Sequence, residues 1–231
     1  MENIQTKIDR VLKTPGIFNW ARQNHPRLDD TSKEIWRIVE NPPQRSLYPI
    51  TRLCEKLANR QITLADANHA TSGYQGYLRM AADEVIPTFD EYLTKRQFEI
   101  ADDIASDFPP YPFSRDARGK VRALPIAPMF VSIEGDRLVP NFMLGWARPR
   151  FSYHQIRLIC SILKDGLLSH SDFLESDGRI IFIRRNKWGS RFVETWNIRS
   201  YATMSRSELE DQFARYNTAV QNVILRLEAL K

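Results

Sequence analysis

The sequence is poor in the residues that build metal sites and disulfide frameworks. It contains two cysteines, Cys54 and Cys160, which lie 106 positions apart, and its four histidines are scattered along the chain. These spacings do not match those of a zinc site, and two distant cysteines do not make a disulfide framework. We therefore expect no metal ion or other cofactor, and a reducing compartment such as the cytoplasm.

Long hydrophobic runs are missing as well. No apolar stretch approaches the ~18 residues that are needed to span a bilayer. The N-terminal stretch Met1–Lys7 is polar and lacks the apolar core of a secretory signal. The nine glycines form neither a phosphate-binding loop nor a dinucleotide-binding fingerprint. The sequence predicts a cytoplasmic protein that does not enter the membrane, and it contains no motif that is diagnostic of an enzyme class.

The sequence also offers few groups of residues that could be catalytic. Glu134 and Asp136 flank a turn glycine, and Asp172, Glu175 and Asp177 form a second loose acidic group. Either group could belong to a metal-dependent nuclease, but acidic residues are also common in ordinary turns. We favour a non-catalytic protein over an enzyme, assign no catalytic or metal-binding residues, and keep the nuclease as an alternative.

Charge is unevenly distributed between the two halves of the chain. Residues 1–105 carry 14 Lys and Arg against 15 Asp and Glu, a net charge of −1, whereas residues 106–231 carry 19 against 13, a net charge of +6. The positive excess therefore belongs to the second half. A localised positive field favours a polyanionic partner more than a high isoelectric point does, so DNA or RNA is a candidate partner.

The first hundred residues have a helical pattern. Apolar residues recur at spacings of three and four from Ile4 onward. Thr31 is followed three positions later by Glu34, which is a capping-box pattern that predicts a helix start. Pro87 is expected to separate the last two helices of this region. We predict a helical domain over residues 1–106.

A proline-rich and basic segment follows. Prolines occupy positions 109, 110 and 112, and four basic residues occur between positions 115 and 122. Prolines in this density favour extended backbone with few regular hydrogen bonds. We predict a linker over residues 107–125.

Beyond residue 125 the hydrophobic period changes to two, which is typical of strands. Runs at 129–133 and 138–146 predict one strand pair, and the stretch Arg179–Arg199 predicts a second; each pair precedes a helix. We expect an α+β domain over residues 126–231 with its elements in the order ββαββα. A small antiparallel sheet with its helices packed on one face is the economical arrangement.

The stretch Arg179–Arg199 has the pattern of a β-hairpin, since two β-rich runs flank a short polar segment that contains one glycine. Its end carries the residues that we predict to bind nucleic acid: Arg184, Arg185, Lys187, Trp188 and Arg191. No acidic residue lies among them in the sequence, so phosphates would relieve their repulsion, and the indole could stack on an unpaired base. Alternatively, the ring folds back onto the sheet and the charges keep an exposed hairpin soluble.

The last helix carries a heptad seam. Its apolar residues alternate between spacings of four and three: Leu209, Phe213, Tyr216, Val220, Val223, Leu227 and Leu230. The flanking positions are mostly uncharged, so pairing with another helix would have little specificity. The seam either packs within the monomer or binds a protein partner or a second copy of the chain.

Taken as a whole, the sequence predicts a non-catalytic cytoplasmic binding protein that associates with nucleic acid through its basic hairpin. The first alternative is a protein-only adaptor or assembly subunit whose basic tip meets an acidic partner. The second is a metal-dependent nuclease. The nucleic-acid-binding protein is distinguished from the adaptor by the absorbance ratio of the purified protein before and after a high-salt wash, because a phosphate-binding protein tends to copurify with nucleic acid.

Overall fold

The structure, a computed structural model, describes residues 3–42, 46–101, 108–115 and 121–230. These ranges contain eight α-helices: α1 Ile4–Leu12, α2 Ile17–Gln23, α3 Leu28–Glu40, α4 Tyr48–Ala58, α5 Leu64–Ala70, α6 Gly76–Arg96, α7 Tyr153–Gly166 and α8 Arg206–Glu228. They also contain seven strands: β1 Glu99–Ile100, β2 Tyr111–Arg115, β3 Val121–Leu124, β4 Phe130–Glu134, β5 Arg137–Leu144, β6 Arg179–Arg185 and β7 Arg191–Asn197. The predicted α+β class is confirmed.

Local sequence signals explain several helix starts. Ser152 and Ser205 each form a reciprocal capping box, with Gln155 and Glu208 three positions later, and so begin α7 and α8. The prediction that Thr31 begins a helix is wrong. Helix α3 starts at Leu28, and the Thr31 hydroxyl donates hydrogen bonds to backbone carbonyls of the preceding turn.

The expectation that Pro87 separates two helices is also wrong, because α6 continues through this residue. The helix ends twenty residues after its start, where Gln97 adopts a left-handed conformation with φ of 50°. The ring of Pro87 is exposed, and α6 buries Val85, Ile86 and Phe89 on either side of it. Packing of this apolar face holds the helix together despite the local cost of proline.

The main sheet has five strands in the order β1-β4-β5-β6-β7, and it is mixed rather than antiparallel. Strands β5 and β6 run parallel, whereas the other neighbours run antiparallel. Helix α7 is the crossover between β5 and β6, so β5, α7 and β6 form a βαβ unit. A consequence is that β5 and β6 end at the same edge of the sheet.

Helices cover both faces of this sheet, which corrects the prediction that they pack on one face. Phe142 and Phe182 point into one core, which they share with α7, α8 and the first three helices. Met143, Ile181 and Ile183 alternate with them and point into a second core formed with α4 and α6. The period-two pattern therefore reports two buried faces rather than one buried and one solvated face.

The heptad seam of helix α8 is buried within the chain. All seam residues from Leu209 to Leu227 are buried, whereas Leu230 is exposed. The helix packs against α1, α3 and β2. The seam residues therefore belong to the core and are not accessible to a partner in this structure.

The described part of the predicted linker is a short antiparallel hairpin of β2 and β3. Phe113 and Leu124 are buried, and the Phe113 ring lies 5.5 Å from that of Phe213 in α8. Residues 107 and 116–120 of the linker lie outside the described residues. The division into domains 1–106 and 126–231 remains a prediction, although α1 and α3 contact α8 and β1 pairs with β4.

No helix within the described ranges is long and apolar enough to cross a lipid bilayer. The longest, α8, exposes charged residues such as Arg206 and Glu210 between its buried positions. Its apolar residues form a stripe along one side, as expected of a helix packed on a protein core.

Candidate functional site

The predicted hairpin forms, with β6 and β7 paired from Arg179 and Asn197 to Arg185 and Arg191. Its tip, residues 186–190, is closed by the Asn186 side chain, whose Oδ1 accepts hydrogen bonds from the backbone N–H groups of Trp188 and Ser190, each at 3.0 Å. Gly189 has φ of 92°, a conformation that glycine adopts without strain. The tip therefore has a defined shape that its own side chains determine.

The three arginines predicted to bind phosphate are each paired with a glutamate. Arg184 contacts Glu194 on the neighbouring strand at 2.5 Å. Arg185 and Arg191 both contact Glu84, which lies about a hundred residues earlier, in α6. The cluster that lacks acidic residues in the sequence thus acquires two of them in the folded chain.

Glu84 holds the hairpin onto α6. Burial opposes ionisation of its carboxyl, but the hydrogen bonds from Arg185 and Arg191 outweigh that effect and keep its pKa below the ordinary value. The Arg191 side chain is only 2% exposed, and it also donates hydrogen bonds to the carbonyls of Gly145 and Ile183. Arg191 is therefore a structural residue directly beside the hairpin tip.

Lys187 and Trp188 remain available to solvent. Trp188 is 78% exposed, so its ring does not fold back onto the sheet. The Lys187 ammonium lies 4.4 Å from the centre of the Trp188 ring, within cation–π range. Of the five predicted contact residues, the structure thus places three in ion pairs and two in an exposed pair at the tip.

A cleft of about 820 Å³ opens where β5 ends, at the same edge of the sheet as the hairpin tip. We call it the basic cleft, because the described residues of its lining include the cations Lys13 and Arg22 and no acidic residue. Its aromatic and hydroxyl lining includes Phe18, Tyr48, Tyr77, Trp146, Thr14, Ser46 and Thr51. In open parallel α/β sheets ligands commonly bind beyond the carboxyl ends of the strands, and the parallel pair of this mixed sheet, β5 and β6, ends at this edge.

The segment 145–152, which joins β5 to α7, connects the cleft to the hairpin, and we call it the basic loop. It carries two exposed arginines, Arg148 and Arg150. Its Ala147 carbonyl accepts a hydrogen bond from the Arg185 backbone N–H at 2.8 Å. The Arg22 guanidinium lies 4.9 Å from the centre of the Trp146 ring, which places α2 against the same loop.

Five exposed cations therefore surround this edge of the sheet without forming an ion pair to any described residue: Lys13, Arg22, Arg148, Arg150 and Lys187. Four of the five were not among the predicted contact residues. The sequence Arg148-Pro149-Arg150, a few residues after the buried strand β5, was an available signal for the loop. Lys13 and Arg22 had no such signal, because only packing of the N-terminal helices brings them to this edge.

Two of the acidic residues that were considered for a nuclease already have partners within the chain. Glu134 forms a two-pronged ion pair with Arg179 at 2.6 and 2.9 Å, and these hydrogen bonds keep its pKa below the ordinary value. Asp177 accepts a hydrogen bond from the Arg199 backbone N–H at 2.8 Å. Among the described residues, no group of three His, Cys, Asp or Glu side chains is arranged to hold a metal ion.

Comparison of the chain with protein-family models, with curated proteins and with solved structures found no match.

Proposed function

We propose that this protein binds nucleic acid without cleaving it, and that the contact surface is the edge of the sheet formed by the hairpin tip, the basic loop and the basic cleft. One observation supports this proposal above the others. Two exposed cations, Lys13 and Arg22, line a cleft that has no acidic residue among the described residues of its lining, and three more, Arg148, Arg150 and Lys187, lie in the basic loop and the hairpin tip at the same edge of the sheet. A surface of this kind concentrates positive potential, which attracts the phosphate backbone.

Within this proposal the hairpin has two roles. Lys187 and Trp188 contact the nucleic acid, since both are exposed at the tip. Arg184, Arg185 and Arg191 support the hairpin through their glutamate partners. The contact therefore uses fewer hairpin charges than the sequence suggests. It draws the others from the basic loop, from Arg22 in α2 and from Lys13, directly after α1.

The test is the salt dependence of oligonucleotide binding, measured by fluorescence anisotropy. We expect the affinity of the unmodified protein to fall linearly on a log–log plot against salt concentration. Replacing Arg148, Arg150 and Lys187 together by alanine should reduce the slope by about 2–3 units, because each lost phosphate contact releases about one counterion fewer. All three side chains are exposed, so the variant should fold normally.

The matched control neutralises two exposed cations elsewhere, Lys33 in α3 and Arg137 at the opposite end of β5. This variant should keep most of the slope. No measurable binding at low salt, or an unchanged slope in the triple variant, would remove the proposed surface from the function. The first result would favour the protein-only adaptor, whose basic tip binds an acidic protein.

A further inference from the structure

The basic cleft has an aromatic side chain whose ring is open to solvent. Tyr48 lies at the start of α4 and lines the cleft, and it is 65% exposed. Trp146 also lines the cleft, but Arg22 lies against its ring at 4.9 Å and Phe151 stacks on it with the ring centres 5.8 Å apart. Tyr48 is therefore the better placed of these two rings to receive a planar ligand group.

Polar groups of the right kind lie in the same lining as this ring. Lys13 and Arg22 supply positive charge, and Thr14, Asn19 and Thr51 supply hydrogen-bonding side chains in the same lining. Cations suit a phosphate, whereas hydroxyl and amide groups suit the edge of a base. The lining thus combines the features that one nucleotide requires: a stacking surface, charge for its phosphate and donors and acceptors for its base.

The size of the cleft favours an unpaired nucleotide. Its volume of about 820 Å³ lies within the range of about 300–1,000 Å³ that is typical of small-ligand pockets. In a duplex, each base is stacked and paired and cannot enter such a pocket unless it is flipped out. Unpaired bases, in contrast, expose their faces to aromatic side chains.

We propose that the basic cleft binds an unpaired nucleotide of a single-stranded nucleic acid, with the base against Tyr48 and the phosphate between Lys13 and Arg22. This inference rests on the proposed function and specifies its substrate class. The hairpin tip and the basic loop hold the phosphates that flank the bound nucleotide. The protein therefore binds single strands in preference to duplexes of equal charge.

The experiment compares an unstructured oligothymidylate with a DNA hairpin duplex that has the same number of phosphates. Tyr48→Ala should weaken binding of the oligothymidylate by about 5- to 150-fold, the range that loss of one stacked base produces. Tyr48→Phe should retain the affinity because it keeps the ring. Neither variant should change the salt slope or the affinity for the duplex, since neither alters charge.

The control variant is Tyr153→Ala, since Tyr153 is 63% exposed at the start of α7 and does not line the cleft. It should leave oligothymidylate binding within about twofold. If both nucleic acids bind but Tyr48→Ala weakens neither, the cleft proposal is wrong while the proposed function stands. If neither binds, the proposed function itself fails. If free thymidine monophosphate binds as tightly as the oligothymidylate, the cleft serves a small molecule and not a strand.

Discussion

At the scale of single residues, Glu84 shows how one side chain can turn predicted phosphate-binding arginines into structural ones. Its carboxylate contacts both Arg185 and Arg191, and the Arg191 side chain is almost fully buried. A buried guanidinium that loses its partner retains the cost of desolvation. The stability of the hairpin therefore depends on a residue in α6 more than on any residue of the hairpin tip.

We predict that Glu84→Gln lowers the free energy of unfolding by about 1–3 kcal/mol at neutral pH, less than for a fully buried pair because Glu84 is partly exposed. The folded-state pKa of Glu84 is lowered, so its stabilising effect is present above the unfolded pKa and is lost as pH falls through the folded value. The difference between variant and parent should hold from pH 7 to about pH 5 and shrink below about pH 4.5.

Urea unfolding at several pH values measures this effect. Glu91→Gln in the same helix is the control, because the Glu91–Lys95 pair is exposed and should contribute within about 0.5 kcal/mol. A Glu84→Gln protein as stable as its parent at pH 7 would show that the two arginines do not need their carboxylate.

At the scale of secondary-structure elements, α8 provides the clearest division between core and surface. Its apolar seam packs on α1, α3 and β2, and the C-terminal seam position, Leu230, is exposed. A heptad pattern alone does not distinguish such an internal helix from one that pairs with another chain. Substitutions at buried seam positions therefore test whether the seam belongs to the core or to an interface.

We predict that Val220→Asp destabilises the fold by about 3–5 kcal/mol, because it places an unpaired charge at a position with no solvent exposure. Leu230→Asp should have little effect, since that side chain is exposed. Urea unfolding and sedimentation velocity report the two outcomes. A Val220→Asp protein that keeps its stability but changes from dimer to monomer would show that the seam is an interface between copies.

At the scale of the whole molecule, the N-terminal helices and the sheet share their cores. Residues of α1, α2 and α3 lie in one hydrophobic cluster with Phe182 and α8, and α6 packs against β6 and β7. Strand β1, from the end of the first hundred residues, completes the sheet edge beside β4. Removal of either half would expose apolar surface from both cores.

We predict that brief trypsin treatment cuts first between Arg115 and Arg122, where the sequence places several basic residues, and that the two fragments elute together under native conditions. The contacts of α1 and α3 with α8 should hold them. Gel filtration followed by denaturing electrophoresis gives the result. First cuts within 30–100 or 150–230, or fragments that elute separately, would contradict this account of the cleavage site or of the shared cores.

Patterns local in sequence determined much of the secondary structure. The hairpin around Asn186 and Gly189, the capping boxes at Ser152 and Ser205 and the apolar stripe of α8 arise from residues within one or two turns of each other. Such signals depend on backbone geometry and nearby side chains, which a linear sequence records directly. The turn at the tip belongs to this group, whereas the exposure of Trp188 was left open by the sequence and is shown by the structure.

Only the tertiary structure decided the rest, because the interactions concerned join distant parts of the chain. The parallel pairing of β5 with β6 depends on the crossover through α7, and the second buried sheet face depends on α4 and α6. The pairing of Arg185 with Glu84 spans 101 positions. The basic cleft likewise needs Lys13, Arg22 and Trp146 in one lining. Burial and charge compensation are properties of three-dimensional neighbours, so the same arginines that read as a free cationic cluster become supports of the fold.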